Sequence, residues 1–418
     1  MDRIIVEKSP PLKGTVRISG AKNAALPIMA ASLLGTEDIV LEDVPQLKDV
    51  EIMCEVLKSL GAEVKQLDPN TLLINSNGLN NYVTGYELMS KMRASFLVMG
   101  PLLGRLGKTE NALPGGCKIG TRPIDLHLKG FKAMGAETVL ADGMVSAHAN
   151  KLSGATIYLD FPSVGATENI MMAAVLADGE TIIENAAMEP EIVDLSNFLR
   201  KLGAKVSGAG TSTIRIKGVK KLGGAKHTII PDRIEAGTFM VAAAITGGDL
   251  EILNVIPSHM KPIIAKLGEA GCTIDEDYES LRVIGTPMLN SVDVKTLPYP
   301  GFPTDMQAQF MALMTKCNGI SIAMETVFEN RFMHVEQLQK MGANIQVDGR
   351  SAIVNGGKTL HGADVYASDL RAGAALILAG LVAEGETSIY DVYHIDRGYE
   401  NIIDKFLSLG AKMRRENN

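Results

Sequence analysis

An α/β fold of six repeated helix–strand units, grouped three and three into two domains, is predicted by the 418-residue sequence. Three observations predict it. A short phrase recurs as LKSLGAEV, FKAMGAET, LRKLGAKV, LGEAGCTI, LQKMGANI and LSLGAKM. Its glycines (Gly61, Gly135, Gly203, Gly271, Gly342 and Gly410) stand 74, 68, 68, 71 and 68 residues apart, so like-sized units fill the chain. A helix rich in Ala and Met precedes each phrase. The composition is that of a globular chain: 46% hydrophobic, 21% charged, 5% aromatic with no Trp, and 21 Met to fill the core.

Each unit opens on the Ala- and Met-rich helix: AALPIMAASLL, ASFLVMGPLL, TENIMMAAVLA, EAGTFMVAAAI, MQAQFMALM and AGAALILAGLV. Small apolar residues all round mark a helix buried on most faces. A glycine turn and a β-rich stretch follow in several units, as in GETIIENA, GDLEILNV and GETSIYDV. A second helix carries one apolar face, such as Ile192, Leu195, Leu199 and Leu202. The repeat glycine is the left-handed residue that stops it. An alternating stretch such as AEVKQL or ANIQVDG is then a strand. The inner helix can be buried only against other units. Two groups of three are the simplest solution, with a boundary around residues 226–231. An open solenoid is the alternative, but its repeats are usually shorter.

Acidic residues outnumber basic ones, 48 to 41, for a net charge of −7. That argues against a broad nucleic-acid surface and leaves room for a small anion site. Four scattered cysteines without a CxxC point to a reducing compartment, with neither disulfide framework nor zinc site. The most apolar run, near Ala372–Ala383, is too short to span a bilayer, and the start MDRIIVEKSP has no signal-peptide core. The expectation is a cytoplasmic protein without membrane, metal, cofactor or nucleic acid, its protein partners unknown.

Charge breaks the repeat at equivalent places. Lys22, Arg93, Gly165, Arg233, Asp305 and Arg371 stand near the starts of the inner helices. Asp49, Arg122, Glu191, His259, Arg331 and Arg397 stand at the starts of the second helices. A cation there opposes the helix dipole unless an anion joins it. Each alone can be solvated or paired with a carboxylate. As a set they predict an anion-binding cleft. The least repeat-like stretch, 111–125, has three glycines and two prolines around Cys117, beside Lys118. A thiol in such a loop can be activated. Asp305 in PTDMQ is either a helix cap or a general base. SVG at 163–165 offers backbone N–H groups to phosphate. His127 and His394 are possible proton shuttles, though histidines beside helix ends are usually structural.

Taken together, SGAKNAALP, LPGGCKIGTRPIDLHLKG, SVGATENIM, PEIVDLSNFL, PDRIEAGTF, FPTDMQAQF, ETVFENRFMHV, DLRAGAAL and YHIDRGYENI resemble the UDP-N-acetylglucosamine enolpyruvyl transferases over the whole chain. The resemblance implies an inside-out α/β barrel of the enolpyruvyl transferase type. Its N-terminal domain spans 22–229 and carries the 111–125 loop. Its C-terminal domain is built from 1–21 plus 230–418, with the active site in the cleft between the two. It implies transfer of the enolpyruvyl group of phosphoenolpyruvate to the 3-hydroxyl of UDP-N-acetylglucosamine with release of phosphate, the first committed step of peptidoglycan synthesis. By resemblance, Cys117 protonates the methylene carbon, forms a covalent phosphoenolpyruvate adduct and is the target of fosfomycin. Asp305 is the base at the sugar hydroxyl. Lys22, Arg122 and Arg397 hold phosphoenolpyruvate. Asn23, Arg93, Val327 and Phe328 line the sugar site. Arg122, Pro123, Ile124, Asp125 and Leu126 hold the uridine end, and Ser163, Val164 and Gly165 the diphosphate. Asp49, Glu189, Asp232, Arg331, Asp369 and Arg371 match charged positions of the cleft. Many relatives carry a lysine just before SVG, where this chain has Phe161 and Pro162. The rivals are enolpyruvylshikimate phosphate synthase, which lacks such a Cys loop, and a non-catalytic sugar-nucleotide sensor or repeat scaffold.

Overall fold

The repeat glycines end their helices as left-handed residues: φ is +100° at Gly61, +90° at Gly135, +106° at Gly203, +99° at Gly271, +92° at Gly342 and +90° at Gly410. The computed structural model describes residues 2–113 and 124–417, apart from the side chains of 89–91. Six four-stranded sheets occur among them. The third repeat shows the plan. Strand Thr156–Tyr158 leads into the inner helix Val164–Ala174 and returns, parallel, as Glu180–Glu184. The second helix Pro190–Lys201 then delivers the hairpin Lys205–Ser207 and Thr213–Lys217, which adds antiparallel to Glu180–Glu184 through Thr213–Lys217. Alternation sets the faces: Thr181, Ile183, Ile214 and Ile216 point inward, while Glu180, Glu184, Arg215 and Lys217 face water.

The described residues divide into two units, 20–113 with 124–230 and 2–19 with 231–417. Each has its own apolar core. The N-terminal residues complete sheets of the second unit. Lys13–Arg17 pairs parallel with Asp249–Leu253, and Arg3–Glu7 lies antiparallel between Glu386–Tyr390 and Lys412–Glu416. In the first unit, Ala225–Thr228 supplies the parallel edge beside Ile39–Glu42. The inner helices are buried nearly throughout, as in Ile234 to Ile245 of helix Arg233–Thr246. Their close packing needs small residues. A Cβ on Gly100 would lie 2.3 Å from the Asn169 carbonyl oxygen. Among the described residues no helix is long and apolar enough to cross a membrane.

Where the chain returns to the second unit, the Asp232 N–H donates to the Ser19 carbonyl at 2.9 Å. Glu235 secures this point. Its carboxyl accepts from the Ser19 N–H at 3.1 Å and pairs with Lys405, which also donates to Ser19 Oγ at 2.7 Å. Burial, only partly countered by Lys405, pushes Glu235 up to about 7 from 4.5. The folded value lies above the unfolded one, so this stabilisation is full below pH 4.5 and is lost as pH rises through 7. It is expected to amount to about 1–3 kcal/mol. Thermal unfolding of Glu235→Gln against the parent from pH 4 to 8 checks it: the variant should lose this part of the pH dependence.

Candidate active site

In the unit of residues 20–113 and 124–230 the site begins at the first inner helix, Lys22–Ala31. Ala21 provides no side-chain cap, and a lysine at the first helical position is disfavoured by the dipole. Asp49, second residue of helix Lys48–Ser59, compensates: its Oδ2 accepts from Lys22 Nζ at 3.1 Å with both side chains buried. Equivalent starts of two helices in one repeat therefore carry opposite charges. Asn23, next to Lys22, is exposed.

A second cluster surrounds His127. Ser163 caps helix Val164–Ala174, its Oγ accepting from the Ala166 N–H at 3.3 Å. The His127 ring lies against the helix start, where a Cβ on Gly165 would meet it at 3.4 Å, an ordinary van der Waals distance. Asn169 Nδ2 lies 2.9 Å from His127 Nδ1, and Phe96 meets the ring edge-on at 5.1 Å. Burial first, and then the charge of Arg93, drive His127 down to about 3. It is a neutral imidazole in the wall and not a proton shuttle near neutral pH. Arg93 opens the short helix Arg93–Val98. Ile124 and Leu126 are half-buried and Asp125 is exposed at the head of helix Asp125–Ala133. Glu168 is buried, and burial followed by the charges of Glu191 and Glu189 holds it well above the usual carboxylate range. Phe161, just before the SVG segment, is 43% exposed. Cys117, Arg122 and Pro123 lie outside the described residues.

In the unit of residues 2–19 and 231–417 the centre is Asp305. It lies in the turn Thr304–Met306 ahead of helix Gln307–Met314, whose N-cap is Met306. Asp305 is therefore not the cap of that helix. Its Oδ1 accepts from Arg331 Nη2 at 2.9 Å and its Oδ2 from Arg371 Nη2 at 3.0 Å. Arg371 is 2% exposed and Arg331 5%. A buried guanidinium demands such a partner. Burial alone would pull Arg371 down, but Tyr399, Asp305 and Asp232 outweigh it and hold it above its ordinary value. Arg331 also lies 5.3 Å from the centre of the Phe328 ring. Nη1 of each arginine is buried and takes no hydrogen bond among the described residues.

Asp232 and Asp369 have plainer roles. Asp232 caps helix Arg233–Thr246, and Asp369 caps Leu370–Gly380 through the N–H groups of Arg371 at 2.9 Å and Ala372 at 3.1 Å. Arg397 departs from the expected position. It is the half-buried C-cap of the short helix Tyr393–Asp396, not the start of the second helix, which begins at Ile402 after Asn401 at φ +48°. His394 stacks on Tyr393 at 4.0 Å.

Sequence reasoning missed the groups behind Asp305. Gln309 Nε2 donates to the Asp305 carbonyl at 2.9 Å and to Tyr399 OH at 3.2 Å, and Tyr399 OH lies 3.1 Å from Thr238 Oγ1. Polar residues within the apolar helix QAQFMALM were a usable signal, because a buried amide requires partners. Glu325 and Thr304 were missed as well. Chemically, the first unit offers a lysine paired with a carboxylate at one helix start and a Ser-capped helix start, where an anion is favoured, and the second offers a carboxylate held by two guanidiniums.

A family model described as EPSP synthase (3-phosphoshikimate 1-carboxyvinyltransferase) matches residues 6–406. A Finegoldia magna protein named UDP-N-acetylglucosamine 1-carboxyvinyltransferase is 66% identical over 99% of each chain. UDP-N-acetylglucosamine 1-carboxyvinyltransferase 1 of Caldanaerobacter subterraneus subsp. tengcongensis is 62% identical, again over 99% of each. Among solved structures, the enolpyruvyl transferase NikO of Streptomyces tendae superposes with a TM-score of 0.90 at 24% identity, covering 100% of this chain and 99% of that one. EPSP synthase of Acinetobacter baumannii gives 0.78 at 18%, covering 100% of both. These two share the fold, an inside-out α/β barrel. The chain belongs to the enolpyruvyl transferase family of EPSP synthase, and within it stands with the UDP-N-acetylglucosamine 1-carboxyvinyltransferases.

Proposed function

We propose that this enzyme transfers the enolpyruvyl group of phosphoenolpyruvate to the 3-hydroxyl of UDP-N-acetylglucosamine, releasing phosphate and committing the sugar to peptidoglycan synthesis. The observation that carries this reading is the 66% identity, over nearly the full length, to a relative of that name. In the addition step the sugar oxygen bonds to C2 of phosphoenolpyruvate. Asp305 takes the hydroxyl proton, and Cys117 delivers a proton to the methylene carbon. The product is a tetrahedral ketal. In the elimination step a proton leaves the new methyl group, the C–O bond to phosphate breaks, and the double bond re-forms.

Lys22, Arg122 and Arg397 hold the phosphate and carboxylate of phosphoenolpyruvate, which need cations. Asp49 holds Lys22 Nζ at 3.1 Å, so the cation is oriented before substrate arrives. Ser163, Val164 and Gly165 take the diphosphate at the head of helix Val164–Ala174. Ile124, Asp125 and Leu126, with Arg122 and Pro123, take the uridine end. Asn23, Arg93, Val327 and Phe328 take the sugar. Asp305 acts as an oriented base because two buried arginines fix its plane, supporting its assignment.

The test is phosphate release from phosphoenolpyruvate, with UDP-N-acetylglucosamine or shikimate 3-phosphate as acceptor. Release with the sugar nucleotide alone is expected. Release with shikimate 3-phosphate, or with neither from folded protein that binds the nucleotide, overturns the proposal.

A further inference from the structure

Glu325 is 1% exposed, and among the described residues its carboxylate accepts hydrogen bonds from hydroxyl and backbone N–H donors, none of them a cation. Oε1 accepts from Thr296 Oγ1 at 2.8 Å, from the Val327 N–H at 2.8 Å and from the Phe328 N–H at 3.1 Å. Oε2 accepts from Thr304 Oγ1 at 2.8 Å. Thr296 Oγ1 in turn accepts from the Thr326 N–H at 2.9 Å, so its own proton is committed to Glu325. Burying a polar group this way is costly unless it is hydrogen-bonded, and here four donors meet it, three at Oε1 and one at Oε2. An acceptor group suits the place, because the two backbone N–H groups and both threonine hydroxyls point their protons at it.

The two ends of this carboxylate reach two different parts of the site. One holds the backbone of Val327 and Phe328. The other holds Thr304, which immediately precedes Asp305. Gln309 fixes the carbonyl of Asp305 and the two arginines fix its carboxylate, Arg331 also lying 5.3 Å from the centre of the Phe328 ring. Glu325 adds a hydrogen-bonded tie from the turn itself to the backbone of Val327 and Phe328. We propose that Glu325, acting through Thr304, is a positioning residue that sets the distance between the base Asp305 and the sugar hydroxyl presented by the 327–328 loop. This rests on the reading of Asp305 as the base. A base misplaced by an ångström loses rate without losing the substrate's other contacts.

Thr304→Val is the informative variant, since it keeps the shape of the side chain and removes its one hydrogen bond to Glu325. Its kcat is expected to fall about 10- to 100-fold, with the KM for phosphoenolpyruvate unchanged. Thr304→Ser, which restores a hydroxyl, should recover most of the rate. Glu325→Gln should be intermediate, because its amide NH2 meets Thr304, whose oxygen can turn to accept. All three are compared as kcat per folded molecule, with thermal unfolding alongside. A Thr304→Val enzyme that melts earlier yet keeps full kcat assigns Glu325 to stability alone and overturns the proposal. Asp305→Asn runs in parallel: full turnover there removes the base reading itself, whereas a dead Asp305→Asn beside an unaffected Thr304→Val removes only the role of Glu325.

Discussion

Asp305→Asn is expected to lower kcat by about 10²- to 10⁴-fold, the range for loss of a positioned general base. The substitution is close to isosteric, so the carboxylate's chemistry goes and its shape stays. An amide cannot take the sugar proton. One of its ends still accepts from an arginine, while the other presents N–H groups to the second arginine. Arg371 at 2% exposure has no solvent to turn to, so stability should also fall, by about 1–3 kcal/mol for a buried donor left without its partner. The two losses separate experimentally. Rate per folded molecule reports the base, and thermal unfolding reports the arginine. Affinity for UDP-N-acetylglucosamine, measured by calorimetry, should change little, because the loss falls on the transition state. An Asp305→Asn enzyme that keeps more than about a tenth of the rate would show that another group takes the proton.

The same aspartate shows what a single sequence can and cannot disclose. Its place at a helix start was legible from the repeat, as were the six glycines that stop the second helices, because both follow from local chain geometry. Its partners were not. Arg331 and Arg371 stand 26 and 66 residues away, and only the packing of the repeats brings them to one carboxylate. Lys22 reads as a cation opposing its own helix dipole, yet its match with Asp49 required the second helix of the same repeat to be placed beside it. Arg397 was misplaced for a local reason. The segment after Asp396 leaves the helix and restarts at Ile402, and nothing in HIDRGYENI marks that break except Gly398. Glu325 was silent because its donors come from residues 296, 304, 327 and 328, and ETVFEN carries no periodicity that would single it out.

Cys117→Ser is the other large effect expected: a loss of about 10²- to 10⁴-fold in turnover, since a serine hydroxyl is far too weak an acid to protonate the methylene carbon. Cys117→Asp should retain turnover, because a carboxylic acid can supply the same proton, and should resist fosfomycin, which needs a sulfur to alkylate. The surrounding protein makes the thiol assignment clean. Burial pushes Cys54 and Cys272 up to about 11 and Cys317 up to about 12. Near pH 8 these three remain thiols, Cys272 and Cys317 buried and Cys54 half-buried, and the thiolate is the form that reacts. Native protein is therefore expected to take up about one alkyl group per chain, on Cys117, and both variants none. Labelling followed by mass measurement of the intact chain reads this directly. Uptake that persists in Cys117→Ser places the reactive thiol elsewhere. A Cys117→Asp enzyme that fosfomycin still inactivates removes Cys117 from the site, and with it the acid on which the addition step depends.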